Sequence, residues 1–328
     1  MGEAAGLVSV ASEKAPYGLS IAVEEPWSNV FGGSESVFHL TVSGAETFNG
    51  RLAWQLSVEG RTVARGESAV NVTPVIPASI EIHISMPVVK PGVIIQSRLS
   101  VMAIEAGREI VRVEKPIWIF PETFFGREEW FKTLDISLFD PTGLTAKLFT
   151  EAKIPFTEIR NVAALTGAHP GLLVIGEGVS FRDYRGLVDS LLKAASTGWR
   201  ILCLAPLDGE CALPMTEASD LQQPDSVMFR HADIITELDK RLDAVAWKTK
   251  GTVVLSGLKL RGDRGPVVAE VAKGERAWPW VEFTFAKERG RLVVCGFSMM
   301  SSWVESPTPR FLIVKVLERV SGNKLIEE

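Results

Sequence analysis

The chain has 328 residues, 46% of them hydrophobic and 23% charged, with a formal net charge of −5. That apolar fraction excludes extensive disorder, and the acidic balance argues against the clustered basic surface of a nucleic-acid-binding protein. At roughly 100–200 residues per domain, the length predicts two domains.

No run approaches about 18 consecutive apolar residues, so no membrane helix and no membrane partner are expected. The first residues, MGEAAGLVSVASEKAPYG, carry acidic groups where a secretion signal needs basic ones. The expectation is a soluble chain without a signal peptide, its localisation unassigned, with residues 1–18 as a flexible terminus. Nine tryptophans stand against two tyrosines. The three cysteines, Cys203, Cys211 and Cys295, fit neither a disulfide framework nor a zinc motif. The four histidines are scattered, and His39 and His83 fall at polar positions of alternating strands, as exposed surface residues do. No metal and no cofactor are expected.

Residues 19–120 read as an all-β, immunoglobulin-like sandwich. Period-two alternation runs through 36–43, where Phe38, Leu40 and Val42 share a face. It continues through 51–59 (Leu52, Trp54, Leu56, Val58) and 79–86 (Ile80, Ile82, Ile84, Met86). Glu59-Gly60 reads as a hairpin turn into 61–65. Further strands are expected at 19–25, 68–72, 95–104 and 109–119. Trp54 is the expected large residue at the centre of the core.

Residues 121–134 form a joint where the period turns helical, and residues 135–328 read as an α/β domain. Short apolar strands at 135–143, 155–161, 171–180 and 199–206 alternate with helices at 144–152 and 181–196. That alternation predicts parallel βαβ units and a flavodoxin-like, doubly wound sheet. A long polar loop is expected over 207–230, then a helix at 231–243. Strands are expected at 252–258, 267–273, 280–286 and 291–298, the last two joined by a turn at 287–290, and a closing helix at 308–321.

Two stretches carry a family resemblance. One runs from DISLFDPTGLTAKLF through PFTEI to LLVIGEGVSFRDYRGLVDSLLKAASTGWRILCLAP; the other is ERGRLVVCGFSMMSSWVESPTPRFLIVKVLE. Together they resemble class I glutamine-amidotransferase-like, flavodoxin-like domains, most of all the non-catalytic copies attached to carbohydrate-active proteins, such as the trimerisation domain of β-galactosidases. The sandwich resembles the immunoglobulin-like modules of family 2 glycoside hydrolases. The resemblance implies an accessory part of a carbohydrate-processing system, since no (β/α)₈ barrel is present.

Active amidotransferases hold a cysteine in a Gly-x-Cys-x-Gly turn with a histidine near the C-terminus. Here Cys203 lies inside an apolar strand without flanking glycines, and the last histidine is His231. Cys203 and Cys295 read as buried structural residues, whereas Cys211 falls in the polar loop, open to solvent. Ser180 follows Gly176-Glu177-Gly178-Val179, but Arg182 stands where a nucleophile elbow needs glycine. Ser180 therefore reads as the N-cap of the 181–196 helix, with Asp183 as its acidic third position. Gly176-Glu177-Gly178 is not a dinucleotide fingerprint either, because position 181 is Phe. No catalytic residue is assigned.

Two candidate sites stay open. In a sheet of order 2-1-3-4, the carboxyl ends of the strands bring Asp140, Glu177, Ser180 and Asp208 to one crevice. There they would bind a sugar or a cation, or stand solvated with no ligand. Trp278 and Trp280 form either an aromatic platform for a sugar or part of the core. The function expected is a non-catalytic accessory or interaction protein, its partner a protein, a second copy docked through the α/β domain, or a carbohydrate. The alternative is a divergent hydrolase or sugar-binding protein using the crevice.

Overall fold

A computed structural model describes residues 16–123, 127–161, 170–213, 222–245, 247, 258–262, 267–270, 278–287 and 289–322. Residues 1–15, most of the expected strand at 252–258 and the end of that at 267–273 lie outside the described residues. The chain divides into two compact units, Met1–Thr123 and Phe124–Glu328.

The first unit is an immunoglobulin-like β-sandwich. Its strands are β1 (Ser20–Val23), β2 (Asn29–Phe31), β3 (Glu35–Ser43), β4 (Phe48–Val58), β5 (Arg61–Val72), β6 (Ala78–Ser85), β7 (Ile95–Glu105) and β8 (Arg108–Phe120). They form two sheets, β1-β3-β6 and β2-β8-β7-β4-β5, antiparallel except for the β2–β8 pair. Alternation in sequence becomes alternation in burial: Phe38, Leu40 and Val42 of β3 face Leu52 and Leu56 of β4, Ile82 and Ile84 of β6 and Val101 of β7 in one core.

Two hairpins turn on paired left-handed residues, Glu59 (φ 48°) with Gly60 (φ 78°), and Ala106 (φ 47°) with Gly107 (φ 80°). Positive φ at both central positions matches the right-handed strand twist, and glycine takes it without steric cost. The expected strands at 61–65 and 68–72 are one continuous β5. Trp54 is only half-buried at the core's edge, its ring lying against Gly66; the fully buried aromatic residues of this unit are Phe38, Phe48 and Phe120.

The second unit contains α1 (Glu128–Lys132), β9 (Ile136–Phe139), α2 (Leu144–Glu151), β10 (Thr157–Glu158), β11 (Leu172–Ile175), α3 (Leu187–Ser196) and β12 (Arg200–Leu204). Then come β13 (Glu210–Leu213), β14 (Ser226–Arg230), α4 (Asp233–Leu238), β15 (Lys259–Gly262), β16 (Val267–Glu270), β17 (Trp280–Phe285), β18 (Gly290–Cys295) and α5 (Pro307–Ser321). A mixed seven-stranded sheet runs β10-β9-β11-β12-β18-β17-β14, and a smaller sheet runs β13-β15-β16.

This overturns the flavodoxin-like, doubly wound α/β expectation for residues 135–328. Within 135–328, ten strands stand against four α-helices among the described residues. The pairs from β10 to β18 are parallel, but β17 and β14 join antiparallel, and a second sheet stands apart. The physical reason is the short connection between β17, which ends at Phe285, and β18, which begins at Gly290. Two period-two strands joined by so short a turn can only pair antiparallel, since a parallel pair needs a crossover of a dozen residues or more. Helices are also shorter than their apolar spacing suggested: α3 begins at Leu187 and α4 ends at Leu238. The buried face of α3 is the expected one, Leu187, Leu191, Leu192 and Ala195, packed on Ile201, Cys203, Leu292 and Val294 of the sheet.

Candidate crevice at the carboxyl ends of the parallel strands

Strands β9, β11 and β12 end side by side, and the residues that follow each carry the sequence candidates. They form two pairs. Asp140 follows β9. Its Oδ1 accepts the Thr142 hydroxyl at 2.7 Å and its Oδ2 accepts the Ala146 N–H at 2.8 Å. Gly143 at the N-cap of α2 has no side chain to satisfy the free amides of the first turn, so Asp140 does it from three residues upstream. Glu177 follows β11 on the neighbouring loop. Its N–H donates to Thr145 Oγ1 at 2.9 Å. Gly176 makes this approach possible, because a Cβ there would collide with the Asp140 carboxyl.

The Glu177 carboxyl turns toward the segment after β18. Its Oε2 accepts the Met300 N–H at 2.6 Å and its Oε1 accepts the Ser301 N–H at 2.9 Å. Burial raises the pKa of Glu177, the two backbone N–H bonds oppose that rise, and the nearby Asp140 charge adds to it.

Ser180 and Asp208 make the second pair. The Ser180 hydroxyl donates to Asp208 Oδ1 at 2.6 Å and accepts the Asp183 N–H at 3.2 Å. Ser180 therefore caps the turn it opens, as its spacing to Asp183 predicts, but that turn is not the start of a helix reaching Ser196, because α3 has its own N-cap at Gly186. Backbone bonds from Gly178 to Ala205, Leu207 to Val179 and Phe181 to Asp208 lace the two loops together. Arg182 stands 3.7 Å from Asp208 at the surface.

The chemistry open to this constellation is narrow. A general acid–base pair must reach a proton on a bound substrate, yet Asp140 and Glu177 are buried and turned to backbone amides. The thiols are equally withdrawn. All three cysteines are buried, and burial pushes Cys211 and Cys295 up to about 12 and Cys203 well above its usual value. A nucleophilic cysteine needs the opposite shift. The expectation of an exposed Cys211 fails because the residue sits inside β13, in contact with the main core, rather than in a polar loop.

The tryptophan platform does not form as a pair. Trp280 is fully buried, with its indole Nε1 3.4 Å from Glu282 Oε2. Trp278 is half-buried against the core, stacked on His231 (centroids 4.1 Å, 19° between planes) and edge-on to Phe229 at 5.8 Å. Sequence reasoning missed the partners of these residues. Met300 and Ser301 lie more than a hundred positions from Glu177. Glu282, a buried carboxylate paired with Arg291 at 3.1 Å and Arg319 at 3.3 Å, carried no signal beyond its place in an apolar strand.

No known family's sequence model matches the chain, and no curated protein matches it in sequence. Solved structures that it partly resembles include the fibronectin(III)-like modules of CbhA from Clostridium thermocellum, at 15% identity and a TM-score of 0.22, covering 31% of this chain and 97% of the module. A β-glucuronidase from glycoside hydrolase family 2 shows 16% identity and a TM-score of 0.24, over 61% of this chain and 21% of the enzyme. A family 2 member from Bacteroides cellulosilyticus shows 11% identity and a TM-score of 0.24, over 57% of this chain and 36% of the enzyme. The chain thus spans about a fifth and about a third of the lengths of these two glycoside hydrolases. The amidotransferase-like kinship expected for the second unit finds no support among them.

Proposed function

We propose that the protein is a non-catalytic accessory or interaction protein. One observation carries this reading: every carboxylate oxygen of Asp140 and Glu177 accepts a hydrogen bond that holds a loop or a helix start. Asp140 and Glu177 act as joinery, their carboxylate oxygens already taken up by hydrogen bonds within the fold.

The test is a panel of glycosidase, esterase and amidase substrates presented to the full chain, to Ser180→Ala and to Glu177→Gln. The expected result is no turnover above buffer for any of them. Turnover by the native chain that either substitution abolishes would overturn the reading. A link to carbohydrate keeps one aromatic candidate, Trp278, with one ring face already covered by His231. A glycan panel that raises the melting temperature of the native chain but not of Trp278→Ala would support that link.

A further inference from the structure

The amino-terminal ends of β12 and β18, at the far end of the sheet from the crevice, carry a cluster of arginines. Arg200 of β12 lies directly across from Arg291 of β18, and Arg291 lies directly across from Thr284 of β17. Residues in register leave the same face of a sheet, so two guanidinium groups stand side by side. Like charges placed directly opposite on neighbouring strands repel. A third arginine, Arg289, comes from the turn between β17 and β18. It holds a left-handed conformation (φ 55°) that glycine would take without strain.

The last turn of α5 meets this row. Arg200 Nη1 donates to the Ser321 carbonyl and Arg291 Nη1 to the Arg319 carbonyl, so carbonyls that a helix end leaves open are satisfied. That capping uses a fraction of the donors, since each guanidinium has five N–H groups. Carboxylates nearby are few. Buried Glu282 is shared between Arg291 Nε at 3.1 Å and Arg319 Nη2 at 3.3 Å, and Arg319 Nε is left buried without a partner. Asp225 Oδ2 is taken up by the Ala286 N–H at 2.7 Å. Among the described residues neither Arg200 nor Arg289 meets a carboxylate, so four arginines stand against two acids.

Between the strand ends and the end of α5 lies an open groove of about 370 Å³, lined by Arg200, Thr284, Arg289, Arg291 and Ser321 among others. Ligand pockets begin at about 300 Å³, so the groove has room for one anionic group and a small body attached to it. The Arg291 side chain is only 30% exposed, and a charge-assisted bond is stronger where water is partly excluded. An anion seated among the guanidinium groups would also remove their mutual repulsion.

We propose that this groove binds the phosphate group of a small soluble molecule, with Arg200, Arg289 and Arg291 as its donors. A planar carboxylate is satisfied by one guanidinium fork, whereas the tetrahedral array of phosphate oxygens can meet several forks from different directions. Three arginines from two strands and a turn suit the second geometry. The groove is at the opposite end of the strands from Asp140 and Glu177, so binding there is independent of what the crevice does. No sequential motif announces it, because residues 200, 289 and 291 come together only through the pairing of β12 with β18.

The test is thermal unfolding and calorimetric titration of the full chain with sodium phosphate, set against sodium chloride at equal ionic strength. The native chain is expected to bind one equivalent of phosphate and to gain melting temperature from phosphate beyond any gain from chloride. Arg289→Gln, in an exposed turn, is expected to bind about tenfold more weakly, the effect of losing one charge-assisted hydrogen bond. Arg200→Gln is expected to weaken binding likewise, and Arg289→Gln alone decides the matter should Arg200→Gln fail to fold through loss of its bond to Ser321. A native chain that responds no more to phosphate than to chloride, or an Arg289→Gln variant that binds phosphate as tightly as the native chain, would overturn the proposal. So would sedimentation with phosphatidate vesicles by a chain that ignores inorganic phosphate, since the phosphate would then belong to a lipid surface.

Discussion

Glu177 offers the sharpest test of the reading that the crevice is structural. Glu177→Ala removes the acceptor of two backbone N–H groups, those of Met300 and Ser301. Met300 is buried, so its amide would be left without water or partner. An unsatisfied buried donor costs about 1–3 kcal/mol, and the vacated side-chain volume adds to that, so a loss of about 2–4 kcal/mol is expected. Glu177→Gln is milder, because one amide oxygen still accepts while its NH₂ opposes the second N–H.

The pH dependence separates the two substitutions further. The folded chain holds the Glu177 proton to higher pH than the unfolded chain does, because burial raises its pKa. Between the unfolded and folded values the folded state binds more protons, so stability falls as pH rises through that window and levels off above it. Glu177→Gln has no proton to lose and should lack that decline. The assay is urea unfolding of the native chain and both variants at a series of pH values from below the ordinary glutamate range to neutral. Identical pH profiles for the native chain and Glu177→Gln, or an unfolding free energy unchanged in Glu177→Ala, would refute the reasoning.

Three further outcomes follow from the same geometry. Asp140→Ala should destabilise the second unit by about 0.5–2 kcal/mol through loss of the α2 cap, read by the same unfolding assay, whereas a surface carboxylate would give no change. None of the three cysteines should react with a thiol reagent at pH 8 before unfolding, given their burial and raised pKa values; rapid labelling of Cys211 in the native chain would show that β13 is open. Trp280→Ala should cost about 3–5 kcal/mol as a cavity in a packed interior, with a markedly smaller loss for half-buried Trp278→Ala, and the reverse order would contradict their burial.

The sandwich was legible because its signal is local. Strict alternation in β3, β4 and β6 states which face is buried, and Glu59-Gly60 states where the chain reverses. The tryptophans were legible in part: Trp199, at the head of an apolar strand, is buried, and so are Trp27, Trp247 and Trp303, which lie outside every expected strand core. The second unit was harder for two reasons. The short turn between β17 and β18 already required them to pair antiparallel, but a short apolar run looks the same in a parallel or a mixed sheet, so nothing local told which neighbours they would take. The crevice contacts are also long-range. That Asp140 and Glu177 lie on adjacent loops follows from strands β9 and β11 being neighbours, but the aim of the Glu177 carboxyl depends on a segment after β18 that no spacing rule connects to it.

The order of strands in the mixed sheet has a consequence for the chain as it leaves the ribosome. β12 pairs with β11 on one side and with β18 on the other. The nascent chain therefore completes β9, β11 and β12 long before Gly290 emerges to cover the open flank of Arg200–Leu204. During that interval an apolar strand, Ile201-Leu202-Cys203-Leu204, presents unpaired backbone groups to whatever is near. A truncation before β18 would leave that flank bare, an unpaired strand edge of the kind that templates pairing with another chain.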